Sequence, residues 1–137
     1  MGQNDQIFYV GLKAFIADGE KLLIVQDQDG QWELPGGKVQ IEEDVAAALS
    51  REVREEIGES ADIEIGSAFH AWIRQPHPDL KFLLFLVGFR CFWKRGEISI
   101  SPEHKNFRWI TKEEVDSIGF ENTYKDAIKY YFQSLEK

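Results

Sequence analysis

Gly37, Glu43 and the run Arg51-Glu52-Val53-Arg54-Glu55-Glu56-Ile57-Gly58 are the residues around which the chain is organised. Asp44 reads as a helix N-cap, its carboxylate placed to accept an orphan backbone N–H. After it, Val45, Ala48, Leu49, Val53 and Ile57 recur at helical spacing, and Gly58 is a natural stop. Glu52, Glu55, Glu56 and Glu59 stand at i, i+3, i+4 and i+7, one stripe of the same helix. At about 100° per residue, Glu56 falls between Val45 and Leu49 on the wheel and so borders the core-facing side.

That stripe is costly. From Glu42 to Glu59 there are seven acids against two bases, and the acids crowd the C-terminal half, the unfavourable end of the helix dipole. Like charges at i, i+4 each cost a few tenths of a kcal/mol when exposed, and more where water is excluded. Two readings accommodate them. One is a solvated acidic face, the ordinary fate of a charge run. The other is a compensating cation, and oxygen ligands without Cys or His favour Mg²⁺ or Mn²⁺ over zinc.

Outward from the helix, Ile7 to Phe15 and Lys21 to Val25 read as strands joined by an Asp18-Gly19 turn, with a second turn at Asp29-Gly30. Ile63 to Ile73 and Lys81 to Trp93 read as long strands linked through Gln75-Pro76-His77-Pro78-Asp79. The unalternating run Phe82 to Val87 suits a strand covered on both faces. A short strand near Phe107 to Ile110 leads into Thr111-Lys112-Glu113-Glu114, a capping-box helix start. The last helix is expected to be capped by Asn122 or Thr123 and to bury Tyr124, Ala127, Ile128, Tyr131, Phe132 and Leu135. The order predicts one α/β domain over residues 1–137, a mixed sheet with helices on both faces.

Composition narrows the function. A formal charge of −8 disfavours duplex nucleic acid, which is bound through basic surfaces. No apolar run approaches the roughly 20 residues of a membrane span. The start lacks the regions of a signal peptide, and a single cysteine suits a reducing, cytoplasmic setting. His70, His77, His104 and Cys91 show no zinc-ligand spacing. Monomer and homodimer both remain open.

The complete spacing, Gly37, five residues, Glu43, seven residues, then Arg51 to Gly58, resembles the Nudix box, and Trp32-Glu33-Leu34-Pro35-Gly36 resembles the segment that leads into it. Glu59 departs from the pattern, which usually has an apolar residue there. The resemblance implies a MutT-like α/β/α sandwich and an enzyme that hydrolyses a nucleoside diphosphate linked to another group. It further implies that Glu52, Glu55 and Glu56, with the Gly37 carbonyl, hold divalent cations, Mg²⁺ or Mn²⁺, and that Arg51 orients the glutamates. Glu52 and Glu103 are both candidates for the general base, and Glu103 is also a candidate ligand. The Arg that many relatives carry after the second strand is replaced by Gln26-Asp27, so Lys38, Arg74 or Lys105 is expected to serve the phosphates. Asn122 is a candidate for reading a base edge, and Trp32, Phe69 and Trp72 for stacking on one. Gln75-Pro76-His77-Pro78 echoes a proline-rich array of an NADH-cleaving branch, but its spacing from the box is too long. The alternative is a noncatalytic nucleotide-sensing domain, disfavoured because every glutamate of the box is present.

Overall fold

A computed structural model describes residues 2–74 and 83–136. Its strands are β1 (Phe8–Asp18), β2 (Lys21–Asp27), β3 (Trp32–Glu33), β4 (Gly36–Lys38), β5 (Asp62–Ile73), β6 (Leu83–Arg95) and β7 (His104–Ile110). Helix α1 (Val45–Ile57) lies between β4 and β5. A 3₁₀ helix (Lys112–Ser117) and α2 (Asn122–Ser134) close the order. The residues of the Gln75 to Asp79 connection, with Phe82 of the apolar run, lie outside the described residues.

The sheet is mixed, as the element order predicts. β1 sits centrally, parallel to β6 from Phe8↔Leu83 to Ala17↔Phe92 and antiparallel to β2 and β4. β5 extends the sheet beyond β6, while β3 and β7 pair with β2. Alternation along β1 and β2 sends side chains to two cores. Leu12, Ala14, Ile16, Leu23 and Val25 meet Ala48, Leu49, Val53 and Ile57 of α1. Phe15, Leu22 and Ile24 meet Tyr124, Ala127, Ile128, Tyr131 and Phe132 of α2. Each Val, Leu, Ile or Phe among them, fully removed from water, contributes about 1.5–3 kcal/mol, which holds the helices to opposite faces. The apolar stretch of β6 serves both layers, Leu86 on the α2 side and Phe89 and Cys91 on the α1 side.

Local signals set the helix ends. Asp44 accepts the Ala47 N–H at 2.7 Å, and the Gly58 N–H donates to the Arg54 carbonyl. Glu114 takes the Thr111 N–H at 3.0 Å and its hydroxyl at 3.2 Å. The α2 cap differs from expectation. Glu121 accepts the N–H groups of Thr123 (2.9 Å) and Tyr124 (3.4 Å), so Asn122 and Thr123 are already helical. A glutamate folded back over the first turn satisfies the same donors that a shorter Asn or Thr cap would. Val45 and Leu135, expected on the apolar faces, are exposed at the helix ends.

Candidate active site

The two-glycine segment of β4 brings backbone directly against the acidic face of α1. Gly36 pairs with Lys13 and has φ +147°, where a side chain is strained, and its N–H donates to Glu56 Oε2. A Cβ on Gly37 would stand 2.5 Å from the Glu52 carboxylate, so only glycine leaves that carboxylate where it is.

Arg51 organises the rest. Its Nε and Nη2 form a fork on Glu43 at 2.6 and 2.9 Å, and Nη1 reaches Glu52 at 2.9 Å and Glu55 at 3.3 Å. Nη2 also meets the Lys38 carbonyl at 3.4 Å. The guanidinium, with the Gln40 N–H, holds the Glu43 carboxyl below its usual range. Glu43 is thus a strut for Arg51, outside the cleft that the other acids face.

That cleft, of about 510 Å³, is open to solvent. Gly37 and Lys38 form one wall and Arg51, Glu52 and Glu55 another. Glu56 lies at its inner edge, and the loop before β7 brings Glu103 to the same space. Glu56 is 5% exposed, in keeping with its place on the helical wheel, and burial pushes its carboxyl up to about 7 against the pull of Lys13 and the Gly36 N–H. Glu52, Glu55 and Glu103 offer carboxylate oxygens to the opening, a donor set suited to a hard divalent cation.

Among the described residues, Lys38 is the further sequence candidate that reaches the cleft, its ammonium 4.3 Å from the centre of the Tyr9 ring. Arg74 packs 5.9 Å over the Tyr124 ring on the α2 face, and Asn122 is exposed at the start of that helix. Lys105 is exposed on β7. Arg54 donates to Ser50 Oγ at 3.0 Å on the far side of α1. Gln26 and Asp27, where relatives place an arginine, hold a turn: Gln26 donates to the Gly30 carbonyl, and Asp27 accepts from Asp29 and Gln31. Phe69 and Trp72 pack edge-on against Phe15 at 4.8 and 6.1 Å, and Trp32 packs against the α2-side core, so these aromatics are part of that layer.

Beneath the cleft lies a group that sequence reading missed. His104, Glu33 and Lys13 are 71 and 20 residues apart along the chain, so no spacing connects them. Pairing of β2 with both β3 and β7, and of β1 with β4, brings them together. His104 Nε2 lies 3.7 Å from Glu56 Oε1 and 3.9 Å from Glu33 Oε1, ion-pair distances longer than a hydrogen bond. Lys13 Nζ stands 3.6 Å from Glu33 and donates to the Leu34 carbonyl at 3.3 Å. Glu33 raises the imidazole of His104 above its ordinary value, overcoming burial. Burial also works against ionised Glu33, but His104 and Lys13 prevail and hold its carboxyl low. One donor atom from each of Glu33, Glu56 and His104 falls within 4.8 Å of the others, a spacing a cation could bridge. The Lys13 ammonium, however, already supplies positive charge there.

The NUDIX domain family model matches residues 9–131. The nucleoside triphosphatase NudI of Enterobacter sp. (strain 638) is 27% identical over 99 residues, covering 65% of this chain and 67% of that protein. The NudI of Salmonella schwarzengrund (strain CVM19633) is 32% identical over 96 residues, covering 63% of this chain and 65% of its own. The chain thus spans 65–67% of the length of these two curated relatives. Two solved structures share its fold. The MutT protein from Methanosarcina mazei Go1 superposes with a TM-score of 0.82 at 20% identity, covering 97% of this chain and 99% of that one. An ADP-ribose pyrophosphatase from Streptococcus suis 89-1591 gives 0.71 at 22% identity, covering 94% and 92%. Since the family model takes in β1 through most of α2, with the whole box between them, the chain belongs to the Nudix family and is a Nudix hydrolase.

Proposed function

We propose that this protein hydrolyses a diphosphate linkage in a nucleoside diphosphate derivative: a nucleoside triphosphate, a dinucleoside polyphosphate or a nucleotide sugar. The observation that carries the reading is the convergence of Gly37, Arg51, Glu52, Glu55, Glu56 and Glu103 on one open cleft. Nucleoside triphosphates come first because the NudI relatives bear that activity in their names.

Glu52, Glu55, Glu56 and Glu103, with the Gly37 carbonyl, would hold Mg²⁺ or Mn²⁺. Such a cation neutralises phosphate charge, orients the diphosphate and lowers the pKa of water. The residues of the chain do the rest. Arg51 keeps Glu52 and Glu55 aimed into the cleft through bonds anchored on Glu43. The glycines of β4 let the phosphates approach the backbone, and Lys38 supplies a positive charge at the rim. A carboxylate, Glu52 or Glu103, takes a proton from the attacking water as its oxygen bonds to phosphorus. The anhydride P–O bond breaks, and the leaving phosphate carries off the electron pair.

The test is Mg²⁺-dependent hydrolysis across normal and oxidised nucleoside triphosphates, dinucleoside polyphosphates, ADP-ribose, NADH and nucleotide sugars, with products identified by mass. One member turned over far faster than the others, and silenced by EDTA, supports the proposal and names its branch. No turnover of any member with Mg²⁺ or Mn²⁺ favours a noncatalytic nucleotide-binding role.

A further inference from the structure

We propose that His104 is a positioning residue that locks the loop carrying Glu103 to the buried carboxylate of Glu56, keeping the two sides of the cleft in register. The inference rests on the metal-dependent reading of that cleft and deepens it.

Each oxygen of Glu56 has a partner on its inner side and keeps a second lone pair for a cation. Oε2 accepts the Gly36 N–H, and Oε1 faces His104 Nε2 at 3.7 Å. The same nitrogen lies 3.9 Å from Glu33 Oε1, and Glu33 in turn stands 3.6 Å from Lys13 Nζ. Rotation of Glu56 away from its present rotamer would leave a 3% exposed imidazole facing fewer partners. The backbone repeats the same connection. The Ser99 and Ser101 N–H groups donate to the carbonyls of Ile57 and Glu56, and the His104 N–H donates to the Ser101 carbonyl. The loop is therefore hung on the last turn of α1, and Glu103 precedes the anchored histidine.

The inward aim of His104 has a specific cause. The β2–β7 register shifts between Gln26 and Asp27, so that Asn106 pairs with Gln26 and His104 with Asp27, leaving Lys105 as the extra residue. Bulges of this kind re-aim a side chain beside an active site. An apolar side chain would fill the same space at less cost, because His104 Nδ1 is buried without a hydrogen-bond partner among the described residues. What the imidazole adds is Nε2, directed at two carboxylates. A second metal site is the weaker reading of this group, since the Lys13 ammonium already occupies its charge balance.

Two replacements separate positioning from packing: H104F, a somewhat larger flat ring without a donor, and H104Q, which keeps an N–H donor. Mn²⁺ binding, read by electron paramagnetic resonance, is the arm that needs no substrate. Loss of an outer partner of a metal ligand typically costs 10–100-fold in metal affinity or activity. H104F should therefore weaken Mn²⁺ binding by about 10-fold or more, and H104Q should restore most of it. With the nucleoside triphosphate best hydrolysed by the wild type, H104F should lower kcat while leaving the nucleotide KM within about twofold. Wild-type Mn²⁺ affinity and kcat in both variants would overturn the inference. Equal loss in both, with unchanged melting, would also overturn it, because the donor would then be irrelevant. If H104F does not fold, H104A takes its place. If the wild type binds no Mn²⁺, the metal-dependent reading fails and takes this inference with it.

Discussion

Adding one methyl group at Gly37 tests the site where it is tightest. In Gly37→Ala the new Cβ would lie 2.5 Å from both Cδ and Oε2 of Glu52. An ordinary contact is about 3.5 Å, so the carboxylate must retreat by about 1 Å. Arg51 Nη1, 2.9 Å from Glu52 Oε1, resists that retreat, so the displacement disturbs the Arg51 network as well. A misplacement of about 1 Å at a reacting centre can cost about 100-fold in rate, or about 2.7 kcal/mol of barrier. Stability should move little. The Arg51–Glu52 pair is partly exposed and worth at most about 1 kcal/mol, while alanine stiffens the unfolded chain by about 0.4–1 kcal/mol. The expected result is kcat reduced about 100-fold with a melting temperature within about 4 °C of wild type. The assay is Mg²⁺-dependent release of product from the best substrate, beside thermal denaturation followed by circular dichroism. Turnover within about threefold of wild type would refute the argument that the position of Glu52 is critical. Unfolding of the variant would show instead that β4, and not a movable carboxylate, bears the clash.

Other substitutions address single roles. Glu55→Gln removes a charge and little volume from an exposed position, so turnover and Mn²⁺ affinity should fall sharply while the melting temperature holds; unchanged Mn²⁺ binding would exclude Glu55 as a ligand. Glu103→Gln should slow the chemical step in single-turnover measurements if it is the base, and an unchanged rate would leave that role to Glu52 or to metal-bound water. Burial pushes the Cys91 thiol up to about 12, so a thiol reagent at pH 8 should label it only after unfolding. The same shift makes the folded state hold a proton that the unfolded state releases, so stability should decline as pH rises from about 9 towards 12. Rapid labelling of the native protein would contradict this.

Most of what the sequence made legible is local. The Asp44 cap, the Gly58 stop, the Asp18-Gly19 hairpin and the alternation of β1 and β2 are each set by neighbours a few residues away. The burial of Glu56 was legible too, since helical periodicity alone puts it beside Leu49. The strand β4 was not. Three residues, two of them glycine, carry no alternation, and their pairing with β1 exists only once the chain folds back. Asn122 was misplaced because Asn is a common cap by type, while the long carboxylate of Glu121 took the same donors. Arg74 and Asn122 are candidates for the substrate site on residue type alone, and the sequence does not show that both stand on the α2 face.

The box is written in residue order: which acids share a helix face, where that helix begins and ends, and the family the spacing denotes. Those are consequences of helical geometry and capping, which act over a few residues. What lies behind the box depends on long-range pairing. Lys13, Glu33 and His104 come from β1, β3 and β7, and meet because strands distant in sequence pair into one sheet. The charges around Glu56, and the anchoring of the Glu103 loop to the last turn of α1, follow from that pairing.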